Sequence, residues 1–163
     1  MVQTGPMSRL VDGVRRAGHR PWFARVGRAL TPVDRMLGKL SRGRTVAFGF
    51  RELPSMVLTT TGRRTGQPRD TPLLYVRDGD GYVVIGSNWG QRTQPAWSGN
   101  LLANPEAVVT HGGRRIPVRA RLVTGDERDR DIATLRSMWP AYATYEARAG
   151  GRELRVFRLD PVD

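Results

Sequence analysis

A chain of 163 residues is long enough for one domain with a real core. It contains no cysteine, which excludes disulfides, thiolate zinc sites, cysteine-held iron–sulfur clusters and a cysteine nucleophile; its two histidines, His19 and His111, have no Asp or Glu at metal-ligand spacing. The net charge is +12, with all but Lys39 of the 27 basic residues being arginine, and residues 1–44 alone carry +8.

Residues 7–18 read as a first, weak helix. Pro21 opens a clearer one, in which Trp22, Val26, Leu30, Val33, Leu37 and Leu40 recur at spacings of three and four, with Arg25, Arg28, Arg35 and Lys39 largely off that stripe. Thr31-Pro32 reads as an N-cap followed by proline at the first helical position, so the spacing predicts two helices with a break. Residues 45–53 are irregular or a short strand. Strands follow at 55–60, 71–77 and 81–87, the last two joined by the turn Asp78-Gly79-Asp80-Gly81. A loop over 88–94 leads into a short helix over 95–103. Residues 107–111 and 114–124 form a second hairpin around Gly112-Gly113. Helices over 125–138 and 140–148 and a strand over 154–159 close the chain.

This order predicts a mainly β, α+β fold with flanking helices: five or six antiparallel strands in a small barrel or strongly curled sheet. It divides the chain into a basic amphipathic N-terminal segment, 1–44, and a barrel domain, 45–163. No apolar run approaches the ~18 residues needed to span a bilayer, and no signal peptide is recognisable. A cytoplasmic protein is expected, peripheral at most to the inner face of the cell membrane.

Three regions carry candidate chemistry. The run Thr59-Thr60-Thr61-Gly62-Arg63-Arg64-Thr65-Gly66-Gln67-Pro68-Arg69 packs hydroxyls, glycines and arginines into one turn after a short apolar strand. Its hydroxyls, glycine-freed amides and guanidinium forks suit an anion, most simply a phosphate. The alternative is an ordinary turn with solvated arginines. It matches neither the GxxxxGK[ST] nor the GxGxxG loop. The second region, 87–105, places Trp89 and Trp97 where they could wall a flat ring, Ser87 and Asn88 where they could donate to it, and a helix N-terminus near Pro95 that favours anionic oxygens. Trp97 taken alone reads as core, whereas the loop as a unit reads as a site. In the third region, Tyr142 and Tyr145 share a helical face near Trp139. Their phenols could hydrogen-bond a carbonyl, supply a proton, or simply pack.

In combination, LTTTGRRTGQPR, TPLLYVRDGDGYVVIGSNWG, PAWSGNLLANPEAVV, WPAYATY and a closing RVFRL resemble the deazaflavin-dependent nitroreductase family, the F420H2-dependent quinone and nitro reductases of actinobacteria, over about residues 20–160. The resemblance implies an FMN-binding-split-barrel-like fold and coenzyme F420. Thr60, Thr61, Arg63, Arg64, Thr65, Gly66 and Arg69 would hold the coenzyme's phosphate and the start of its acidic tail. Ser87, Asn88, Trp89 and Gly90 would lie by the deazaflavin ring, with Pro95, Ala96 and Trp97 at the helix start. Asn100 matches the family's helical asparagine. Many relatives carry lysine and glycine where Asn88 and Trp89 stand, and histidine or asparagine where Gln94 stands. Trp22, Trp139, Tyr142 and Tyr145 would line the substrate side, with Ser87, Tyr142 and Tyr145 as the hydrogen-bonding or proton-donating groups for a quinone-like acceptor.

FMN is the alternative coenzyme, since a phosphate cradle serves either. The basic N-terminal segment would cap the pocket through Trp22 and Phe23, lie on an anionic membrane surface, or pack on the barrel with its arginines in water. A nucleic-acid-binding module is the reading from a different class. The charge permits it, but no recognised nucleic-acid motif accompanies the arginines, and no nucleic-acid partner is expected.

Overall fold

The computed structural model describes residues 6–40 and 53–162. In chain order it contains α1 (Pro6–Ala17), α2 (Pro21–Leu40), β1 (Ser55–Thr61), β2 (Pro68–Leu74), β3 (Val76–Asp78), β4 (Gly81–Ile85), α3 (Ala96–Ala103), β5 (Glu106–His111), β6 (Arg114–Val123), α4 (Gly125–Met138), α5 (Ala141–Arg148) and β7 (Val156–Pro161), with a 3-10 turn at Asn88–Gly90. All seven strands form one antiparallel sheet in the order β2-β1-β5-β6-β7-β4-β3.

That order has a geometric consequence. β2 and β3 occupy opposite edges, yet only Tyr75 separates them in the chain. A flat sheet of this size would hold its edges about 29 Å apart, whereas two peptide steps span at most about 7 Å. The sheet must therefore curl until its edges meet, which makes it a split barrel. The expected single strand over 71–77 is in fact two strands pivoting at Tyr75, because one straight strand could not pair with β1 and β4 together. The expected five or six strands thus become seven. Pro68 and Pro72 fit β2, since an edge strand tolerates missing donors. Tyr75 is buried at the pivot, its amide bonded to Pro54 O at 3.0 Å and its hydroxyl 3.2 Å from His111 Nε2.

The predicted break at Thr31-Pro32 is absent, and α2 runs unbroken through it. Proline's fixed φ suits a helix, although its ring removes one backbone bond and crowds the carbonyl four residues earlier. The apolar stripe beyond Leu30, and residues 45–52, lie outside the described side chains.

The curl creates two apolar layers. Tyr82 and Val84 of β4, with Phe157 and Leu159 of β7, point into the barrel with Met56, Leu58, Val109 and Trp97. Val83, Ile85 and Val156 alternate to the outer face, under Leu135, Trp139, Tyr142 and Tyr145 of α4 and α5 and Ala24 of α2. Both faces of β4 are covered, so all five of its residues are buried.

Leu58 is fully buried in a central strand, while Leu102 on α3 is 49 % exposed. Leu58→Ala should cost about 3 kcal/mol of unfolding free energy in urea titration, and Leu102→Ala under about 0.5.

Candidate functional site

The β1–β2 turn is fixed by its own backbone. Gly62 N donates to Gln67 O (2.8 Å), Gly66 N to Gly62 O (2.7 Å) and Thr65 N to Gly62 O (3.2 Å). Gly66 closes it at φ 68°, a left-handed conformation that a Cβ would strain. The expectation of freed amides therefore needs correcting, for the glycine amides are spent inside the turn. The anion donors that face outward are guanidinium groups.

The three arginines divide that work. Arg63 is latched to α3: its backbone N donates to Asn100 Oδ1 (3.1 Å), and its guanidinium donates to Ala96 O (3.1 Å) and Asn100 Oδ1 (3.3 Å). Asn100 is 4 % exposed and donates its Nδ2 to Thr60 Oγ1 at 3.0 Å. One buried amide thus joins β1, the turn and α3. Arg64 and Arg69 remain exposed, with Arg69 making only a long bond to Thr65 Oγ1 (3.5 Å). A cleft of about 700 Å³ is lined by Arg63, Arg64, Thr65, Arg69, Asp70, Thr71, Ala96, Trp97 and Asn100. Thr60, Thr61 and Gly66 do not line it: Thr60 is buried on Asn100, and Gly66 shapes the turn.

A second cavity, of about 380 Å³, adjoins the first, and Thr71, Ala96 and Trp97 line both. The uncapped N-terminus of α3 lies at this junction, where its first-turn amides favour an anion. Ser87, Asn88, Trp89, Gln94, Trp139, Tyr142 and Tyr145 line the second cavity. Rings pave one wall: Phe23 lies 6.4 Å from Trp89 and 6.1 Å from Trp139, and Tyr145 lies 6.0 Å from Trp89 and 6.3 Å from Tyr142. Trp97 is both core and lining, 5 % exposed and packed on Phe157 at 5.7 Å.

The loop after β4 is strained. Asn88, Trp89 and Gly90 all have positive φ (46°, 56° and 76°), at a cost of roughly 1–2 kcal/mol for each of the two non-glycine residues. At Gly90 a Cβ would also meet Tyr145 O at 2.9 Å. Gly90 supports the loop from behind and does not line the cavity. What holds the loop is Arg152, which the sequence reading missed. Its guanidinium donates to Gly86 O (2.9 Å), Ser87 O (2.8 Å), Gln91 O (2.9 Å) and Gln94 Oε1 (2.8 Å). Its partners lie some sixty residues away in the chain, so no local motif announces it. Burial, then the nearby Arg155 charge, lowers its pKa.

The N-terminal helices cover the cavity through two glycine seats. A Cβ on Gly27 would fall 2.4 Å from the Trp89 ring, and one on Gly18 would fall 2.7 Å from that of Trp139. Phe23 and Arg28 of α2 line the cavity. Trp22 does not. It is 55 % exposed, and the neighbouring Phe23 stands in the cavity lining where Trp22 was expected.

Burial pushes both phenols above their ordinary pKa, at Tyr142 with help from Tyr145, and at Tyr145 opposed by the Trp139 indole and the Arg148 charge. The Tyr145 hydroxyl is buried with no hydrogen bond of normal geometry. Among the described residues no His/Asp/Glu group could hold a metal ion, and no helix is long and apolar enough to cross a membrane.

The fold and site together define a split barrel with an arginine-lined cleft beside an aromatic cavity. The chain belongs to the F420H(2)-dependent quinone reductase family, whose model matches residues 34–161. It is 43 % identical over 76 residues to an F420H(2)-dependent quinone reductase of Mycobacterium tuberculosis, a match covering 47 % of this chain and 51 % of that one. The chain thus spans about half the length of that relative. Among solved structures it is similar to an F420-H2 dependent reductase, FDR-A, at 31 % identity and TM-score 0.61, over 66 % of this chain and 94 % of the other. It shares its fold alone with HutZ, the heme storage protein from Vibrio cholerae, at 17 % identity and TM-score 0.52, over 79 % of this chain and 92 % of that one.

Asn100→Ala leaves the Thr60 hydroxyl and the Arg63 amide short of partners. It should cost about 2–3 kcal/mol in denaturant titration. The phenols make a second prediction. Their folded pKa lies above the unfolded value, so the stability they contribute is complete below the ordinary value of 10.0 and lost as pH rises beyond it. Melting curves between pH 8 and 11 should fall less steeply at the alkaline end for Tyr142→Phe than for wild type.

Proposed function

We propose that this protein transfers a hydride from the reduced deazaflavin coenzyme F420 to a quinone. The observation that carries this is the continuity of the two cavities across the start of α3. A ligand with an acidic tail and a flat ring can lay the tail on the arginines and the ring against the aromatic wall. The chain's residues fit such a group in three respects. Arg64 and Arg69 offer permanent charge at the cleft, the uncapped α3 amides sit between cleft and cavity, and the rings of Trp89, Trp97 and Trp139 line the cavity beyond.

When bound, the reduced deazaflavin supplies two electrons and a hydrogen as hydride, chemistry that no side chain here provides. The protein's part is to bind, orient and donate. Arg64, Arg69 and Thr65 grip the tail, with Arg63, Thr60, Thr61 and Gly66 holding the turn that presents them. Ser87, Asn88 and Trp89, fixed by Arg152, with Pro95, Ala96 and Trp97, seat the ring. A quinone that accepts a hydride becomes an oxyanion and needs one proton to reach the hydroquinone. Ser87, Tyr142 and Tyr145, which line the cavity, are the groups that would hydrogen-bond that oxygen and deliver the proton. Both phenols are raised above their ordinary pKa by burial, so at neutral pH they are protonated and offer a hydrogen bond to an acceptor oxygen. Trp139 walls the acceptor side. Nitroaromatics are adventitious acceptors of the same hydride.

The protein acts in the cytoplasm, peripheral to an anionic membrane surface where quinones reside. Exposed Trp22, Val26 and Leu30, one helical turn apart on α2, and the basic N-terminal segment support that location.

Steady-state turnover of menadione with the reduced deazaflavin coenzyme, beside a parallel titration with FMN, tests the function. Turnover is expected, with Tyr145→Phe lowering kcat by roughly 10²-fold. Tight FMN binding with no response to the deazaflavin would overturn the coenzyme assignment. Wild-type turnover in both Tyr142→Phe and Tyr145→Phe would remove the tyrosines from the chemistry.

A further inference from the structure

Among the described residues that line the aromatic cavity, Arg28 alone carries a formal charge; the others are apolar, aromatic or neutral polar. Arg28 belongs to α2, whose placement is set by the seat of Gly27 beneath the Trp89 ring. That contact brings the helix backbone against the cavity wall and delivers the next residue, Arg28, to the lining. No carboxylate pairs with Arg28 among the described residues, whereas Arg119, Arg121, Arg128, Arg136 and Arg158 all have acidic partners. Nor does Arg28 reach the arginine cleft, which is lined by a separate set. The tail of the coenzyme therefore does not account for it.

A guanidinium with no acidic partner among the described residues, at the edge of an aromatic cavity, is a planar fork for anionic oxygen. The apolar walls strengthen its field over that in open water, although its exposure keeps the effect modest. We propose that Arg28 is a specificity-determining residue that favours aromatic acceptors bearing an anionic oxygen substituent, such as an ionised hydroxyquinone or a ring carboxylate, over neutral ones. The inference rests on the reading that the acceptor occupies this cavity.

Two naphthoquinones of similar size test it: 2-hydroxy-1,4-naphthoquinone, an anion at neutral pH, and 2-methyl-1,4-naphthoquinone, which is neutral. Tryptophan-fluorescence quenching of the full chain gives a Kd for each without coenzyme, and the readout is their ratio. Arg28→Gln should shift the ratio against the anion by roughly fivefold, Arg28→Glu further, and Arg28→Lys should restore most of it; added salt should erode the wild-type preference. A ratio that is the same in wild type, Arg28→Gln and Arg28→Glu overturns the proposal, as does failure of wild type to bind either quinone. Turnover with the reduced coenzyme is measured separately. If the quinones bind but are not reduced, the hydride-transfer reading fails while the Kd ratio still decides the role of Arg28.

Discussion

The side chain of Asn100 makes three bonds that tie separate elements together: to the Thr60 hydroxyl on β1, and to the backbone and guanidinium of Arg63 in the β1–β2 turn. It sits on α3, whose N-terminus lies between the arginine cleft and the aromatic cavity. This amide fixes the turn against the helix, so the arginine-lined end of the groove and its aromatic end keep one spacing. A ligand with a charged tail and a rigid ring requires such a fixed spacing, and a hydrogen-bonded amide in a buried place maintains it better than a salt bridge in solvent.

The other end of the groove is held by a different device. Left-handed Asn88 and Trp89 do not hold their conformation unaided, and Arg152 compensates by gathering three carbonyls and Gln94 behind them. From the front, Gly27 receives the Trp89 ring, and Phe23 packs between Trp89 and Trp139. The strained loop is thus clamped between a half-buried cation and the N-terminal helices, and those helices become part of the site.

Much of the fold was legible because glycine and proline punctuate it. The Asp78-Gly79-Asp80-Gly81 turn, the Gly112-Gly113 turn and the α4 start at Gly125 all fall where the residues say. The pivot at Tyr75 was not legible, since no breaker marks it and its cause is the pairing of two sheet edges. The helix through Pro32 shows a local signal overruled by the chain around it. At the site, residue types were readable while their orientations were not. Trp22 and Phe23 are adjacent, yet only the helical phase decides which faces the cavity. The glycines of the arginine turn suggested free amides, but the turn's own bonds consume them. Arg152 and Asn100 act through partners distant in sequence, and composition carries no trace of such pairings.

The central claim is that one groove holds an acidic tail at Arg64 and Arg69 and a redox ring at the Ser87–Trp89 loop. A crystal structure of the protein with the deazaflavin coenzyme bound tests it most directly. The account predicts the phosphate and the first tail carboxylate against Arg64 and Arg69, and the ring between the Ser87 loop and the start of α3, with its free face toward Tyr145. A ring bound outside the aromatic cavity, or a tail that leaves the arginine turn uncontacted, would contradict it.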